Sequence, residues 1–92
     1  MIGPIISTIH HLAGGRDVEV SVQEGGSQVC VRAWLCRNNF VEHALSATGS
    51  LVELILHRDD VLPKEFAEDP AIAEAVFEPL EEIWRHRLRL AR

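Results

Sequence analysis

Between Asp17 and Leu35 the chain alternates between apolar and polar positions on either side of two glycines. Val18, Val20 and Val22 interleave with Asp17, Glu19, Ser21 and Gln23. Beyond Glu24-Gly25-Gly26-Ser27, the residues Val29, Val31, Ala33 and Leu35 interleave with Cys30, Arg32 and Trp34. A period of two puts the two sets on opposite faces of a strand, and a two-residue primed turn needs the positive φ that glycine adopts freely. The pattern predicts an antiparallel hairpin. With Gly25-Gly26 as the turn, Val22 faces Val29, Val20 faces Val31, Val18 faces Ala33 and Glu19 faces Arg32. A slip of one residue would set the valines against polar side chains.

The stretch Ile5 to Leu12 is apolar and β-branched and runs into Gly14-Gly15, which predicts a first strand joined by a second glycine hairpin. If Ala13 faces Arg16, then His10, Glu19 and Arg32 form a ladder on the outer face; a three-residue loop abolishes it. After Leu35 the period changes. Asn39 suits an N-cap with Glu42 reaching back, Phe40, Val41, Ala44 and Leu45 form a stripe, and Gly49 suits a helix end, so a helix is expected over 40–48. Leu51 to Leu56 then reads as a mostly buried strand reached by a right-handed crossover, and the charged run His57-Arg58-Asp59-Asp60 closes it. Leu62-Pro63 opens an irregular or single-turn segment.

Asp69-Pro70 is a helix start, a capping carboxylate followed by proline at the first helical position. The stripe Ile72, Val76, Phe77, Leu80, Ile83, Trp84 and Leu88 follows. Pro79 interrupts it at a cost of about 3 kcal/mol, which predicts a kink or a restart. A restart would set Glu81 and Glu82 at the positive end of the dipole and Arg85, Arg87, Arg89 and Arg92 toward the negative end. The expected class is α+β, one domain over residues 1–92. Its sheet has three to four strands, largely antiparallel, in the order β-β-β-α-β-α, packed against a kinked C-terminal helix.

With 92 residues, 47% hydrophobic and 25% charged, the chain fits a single folded domain. No apolar run approaches the roughly 20 residues of a membrane span. Met1-Ile2-Gly3-Pro4 lacks the basic start of a signal peptide, so a cytoplasmic location is expected. Cys30 and Cys36 on one strand rising about 3.3 Å per residue stand roughly 20 Å apart, whereas bridged Cα atoms lie within about 7 Å. Reduced thiols are expected, and the two cannot share a zinc ion.

The net charge of −5 is unevenly spread. Nine acids and Lys64 alone lie between Asp59 and Glu82, while Arg85 to Arg92 holds four arginines and no acid. Such polarity steers partners of opposite sign. Catalytic chemistry finds no support. His10 and His11 point to opposite strand faces, neither His-Glu-x-x-His nor Glu-x-x-His occurs, Gly-x-Ser-x-Gly is absent, and Gly25-Gly26-Ser27 lacks the lysine of a phosphate loop. No enzyme, cofactor or metal site is expected.

Binding chemistry is better represented. Cys30, Arg32 and Trp34 share the face opposite the valines, and Arg37, Asn38 and Asn39 follow directly. Tryptophan and arginine are enriched at interface hot spots, and arginine and asparagine suit phosphate contacts. Arg85 and Arg89 add a basic helix end. Small size, polarised charge and the lack of catalytic motifs resemble phage-encoded inhibitors such as anti-CRISPR proteins, a resemblance of size and composition. It implies a non-catalytic protein docking on a larger protein or ribonucleoprotein, with Arg32, Trp34, Arg37, Asn38 and Asn39, or the acidic belt from Asp59 to Glu82, in contact with the target. A second reading is a homodimeric accessory or assembly subunit that pairs through a sheet edge or the Ile72–Leu88 helix. A third is a small nucleic-acid binder using Arg85 and Arg89 on phosphates, against which the acidic total argues.

Overall fold

The computed structural model of the chain describes residues 2–90. Four strands, β1 (Ile2–His11), β2 (Arg16–Gly25), β3 (Gln28–Arg37) and β4 (Phe40–Gly49), form an antiparallel meander in which each strand pairs with its chain neighbours. Three short helices follow, α1 (Leu51–Leu56), α2 (Arg58–Val61) and α3 (Lys64–Ala67), and then the long α4 (Pro70–Leu90). The class is α+β as expected, but the order is four strands and then helices, not β-β-β-α-β-α.

The central hairpin forms with its valines inward, two residues out of the expected register. Gly25 pairs with Gln28, so Gly26-Ser27 is the turn, and Val22 meets Val31, Val20 meets Ala33, Val18 meets Leu35 and Glu19 meets Trp34. Gly26 has φ +60 and Ser27 is not in the left-handed region, the distribution of a type II′ turn, which needs only one glycine. A shift of two preserves the faces, so burial does not distinguish the registers and turn geometry decides.

Between β1 and β2 the connection is the single 3₁₀ turn Ala13–Gly15, with Leu12 N–H donating to Arg16 O at 2.8 Å. This is the three-residue loop that abolishes the ladder. His10 meets Val18 on the inner face and Ile9 meets Glu19 on the outer one.

The expected helix over 40–48 is strand β4. Asn38 and Asn39 have φ +49 and +70, the two left-handed residues of a type I′ turn, a conformation that asparagine tolerates better than other non-glycine residues. The register shifts by one between the pairs Leu35–His43 and Cys36–Val41, leaving Glu42 as a bulge. Leu51 to Leu56 is a helix rather than a strand, because Ser50 caps it: the hydroxyl accepts from Glu53 N–H at 3.2 Å. Arg58 to Asp60 lie in α2, with His57 at its N-cap position, instead of ending a strand. The single turn expected after Pro63 is α3.

At the head of α4, Asp69 Oδ1 accepts from Ala71 N–H at 3.0 Å and Pro70 is the first helical residue. The helix does not restart at Pro79, which is buried inside it. Ile72, Val76, Phe77, Leu80 and Ile83 are buried as the stripe requires, Trp84 packs half-buried at the margin, and Leu88 is exposed. They close over the inner sheet face of Val18, Val20, Val22, Val29, Val31, Ala33, Leu35 and Leu45, with Phe66 from α3 fully buried between the layers. Arg16 to Asp69 at 3.4 Å ties the start of α4 to one end of the sheet, and a Glu24–Arg87 ion pair ties its last turns to the other.

Candidate functional site

The helices cover one face of the sheet only. Across the other, the registers align side chains in rows: Ile9, Glu19, Trp34 and Ala44 in one, and Ser7, Ser21, Arg32 and Ser46 beside it. A third row, His11, Asp17, Cys36 and Val41, lies toward the Asn38-Asn39 turn. Ile9 is 60% exposed and Val41 59%; Arg32, Glu19, Ala44 and Ser46 are exposed as well, and Trp34 is half-buried. The indole thus lies on an uncovered sheet with Glu19 and Ala44 as row neighbours.

Arg32 is flanked along its row by serines, side chains too short to wall it in. None of the ion pairs among the described residues involves it. An arginine standing unpaired among small hydroxyls next to a tryptophan offers five donors and a planar surface to an incoming group.

The other expected binding residues lie elsewhere. Arg37 Nε donates to Glu42 Oε1 at 3.2 Å and its Nη1 to Gly14 O at 3.4 Å, while Asn38 N–H donates to Gly15 O at 3.0 Å. With Asn39 completing the turn, these residues join the two loops at one end of the sheet. Arg85 and Arg89 lie on α4 in the layer behind the sheet, toward the opposite end, and Arg85 contacts Glu82 at 2.6 Å. The seven residues therefore occupy three places, and only Arg32 and Trp34 share the open face.

Sequence reasoning missed Ile9, Val41, Ala44 and Ser46 as members of that face. The signal available was Asn38-Asn39 itself, a turn-forming pair between two apolar stretches.

Cys30 and Cys36 are free thiols. Cys36 is buried on the outer face, and that burial, followed by the carboxylates of Glu19, Asp17 and Glu42, pushes its pKa up. A raised pKa disfavours the thiolate and hence nucleophilic use. Among the described residues no three histidine, cysteine or acidic side chains come together as a metal site. Among the described residues no helix is long and apolar enough to cross a membrane. No family model, curated protein or solved structure matches the chain, so the site is read from its own geometry.

Proposed function

We propose that this chain is a non-catalytic binding protein that docks on a larger protein or ribonucleoprotein through the open face of its sheet. The observation that carries this reading is the uncovered row arrangement, in which half-buried Trp34 and unpaired Arg32 sit side by side between Ile9, Ala44 and serines. Interfaces gain most of their affinity from a few desolvated aromatic and arginine anchors, and small neighbours let a partner reach them. An inhibitor that occludes a surface of its target, as phage-encoded anti-CRISPR proteins do, is the form of binder this face suits.

The test is affinity capture from the native host or its phage-infected cells, followed by reconstitution with the purified target. Arg32→Glu with Trp34→Ser should weaken the complex at least 30-fold, the equivalent of about 2 kcal/mol at a hot spot. Arg85→Glu with Arg89→Glu should leave binding intact, and both variants should still unfold cooperatively, the first at a somewhat lower temperature because half-buried indole surface is lost. Undiminished binding by the first pair would remove the sheet face from consideration.

A homodimer is the second reading, favoured by the free edge of β4, where Phe40 is 77% exposed. Light scattering over a hundredfold concentration range distinguishes them: a constant monomer mass excludes the dimer.

A further inference from the structure

The sheet has a second free edge at β1, and there it is not flat. Because α4 packs mainly on β2, its flank and the free side of β1 enclose a groove of about 400 Å³. Ile6, Ile9 and Pro79 give it apolar walls, and Glu78 and Glu82 stand on its helical rim. A neighbouring hollow of about 330 Å³ shares Ile6 and Glu82 and reaches His86.

Two buried side-chain atoms in the groove, Thr8 Oγ1 and His10 Nε2, have no hydrogen-bond partner among the described residues. Both belong to inner-face positions of β1, opposite Val20 and Val18. Buried polar atoms are ordinarily paired, so two orphans in one groove mark a place where a partner group is wanted. Glu78 Oε2 is 3.9 Å from His10 Nε2, beyond hydrogen-bond length but on the same spot. A hydroxyl oxygen, an imidazole nitrogen and a carboxylate can each accept, and a primary ammonium carries three donors and no acceptor. Glu78 has no arginine partner among the described ion pairs. Glu82 is shared with Arg85 in an exposed pair that a ligand can displace.

We infer that this groove receives a lysine side chain from an extended partner segment that adds to β1 as a fifth strand. The unpaired main-chain groups of an edge strand hold such a segment, and alternate side chains enter the space beside the sheet. In this position every second residue of the incoming strand faces the helix layer, where its ammonium meets Thr8, His10 and Glu78. Charge selects lysine-bearing over acidic segments. Ile9 borders both this groove and the Trp34 face, but Thr8, His10 and Glu78 belong to the groove alone, so either site can fail without the other.

The probe is a blocked octapeptide of alternating valine and lysine, titrated into the intact chain and followed by amide chemical shifts. Saturable binding is expected, with shifts confined to residues 6–10 and 78–86. Glu78→Gln, at an exposed position, should weaken it at least tenfold with no change in melting. Replacing the peptide's lysines by arginine should weaken it about threefold, since a planar fork matches a cup of three acceptors less well. Absent binding, equal binding of a valine–glutamate peptide, equal binding of the arginine peptide, or shifts along β4 would each overturn the inference. So would a dimer, paired through β1, that the lysine peptide fails to displace.

Discussion

Gly15 and Asn38 constrain one another across the two loops at one end of the sheet. A Cβ on Gly15 would stand 2.7 Å from Asn38 Oδ1, and the backbone there has φ +73; at Gly26, with φ +60, a Cβ would meet no atom within 4 Å. Gly26→Ala therefore carries backbone strain alone, about 1–2 kcal/mol. Gly15→Ala carries the same strain and must also displace the asparagine. Urea denaturation should show the larger loss for Gly15→Ala, and the difference should vanish in an Asn38→Gly background. Cys36 makes a second residue-level prediction. Its folded-state pKa is raised, so above the ordinary thiol value of about 8.5 the unfolded chain loses its proton first and stability falls as pH rises. Melting temperature should therefore drop as pH rises above about 8.5, and Cys36→Ala should flatten that drop. A thiol held protonated and buried should also react with iodoacetamide more slowly than Cys30.

Among the elements, α1 depends most on a single side chain. Ser50→Ala removes the hydroxyl that accepts from Glu53 N–H and should cost about 1 kcal/mol, measured as a shift in denaturation midpoint. The same contact explains why α1 was misread. A six-residue apolar run is too short for its periodicity to separate helix from strand, and the Ser50-Leu51-Val52-Glu53 capping pattern was the distinguishing signal. The error at β4 has a geometric origin. The bulge at Glu42 puts Val41 and Ala44, three residues apart, on one face of a strand, which imitates helical spacing. Asn39 suits a helix cap and a type I′ turn equally well, so local chemistry could not choose; the pairing of β4 with β3 does. Where alternation was long and unbroken, as in the Val18–Val22 and Val29–Leu35 stretches, the strands and their faces were legible. The buried side of α4 was equally clear from its stripe. Of the candidate site, Arg32 and Trp34 were legible because the hairpin alone separates them from the valines. Their neighbours were not, because they come from strands whose register only tertiary pairing sets.

For the whole molecule, the net charge of −5 at pH 7 and an isoelectric point near 5.4 set colloidal behaviour. Repulsion between copies disappears as the pH approaches that value, so static light scattering should find the strongest attraction there and weak attraction or repulsion at pH 7.5. The meander order has a further consequence, for how the chain is made. Strands that pair only with their chain neighbours close short loops, so sheet assembly is a sequence of local steps and can begin while synthesis continues. The element that shields the valine face emerges only after the whole sheet. A nascent chain halted before Pro70 would carry a nearly finished sheet with its greasy side bare, and such stalled products should be the species that chaperones and proteases meet.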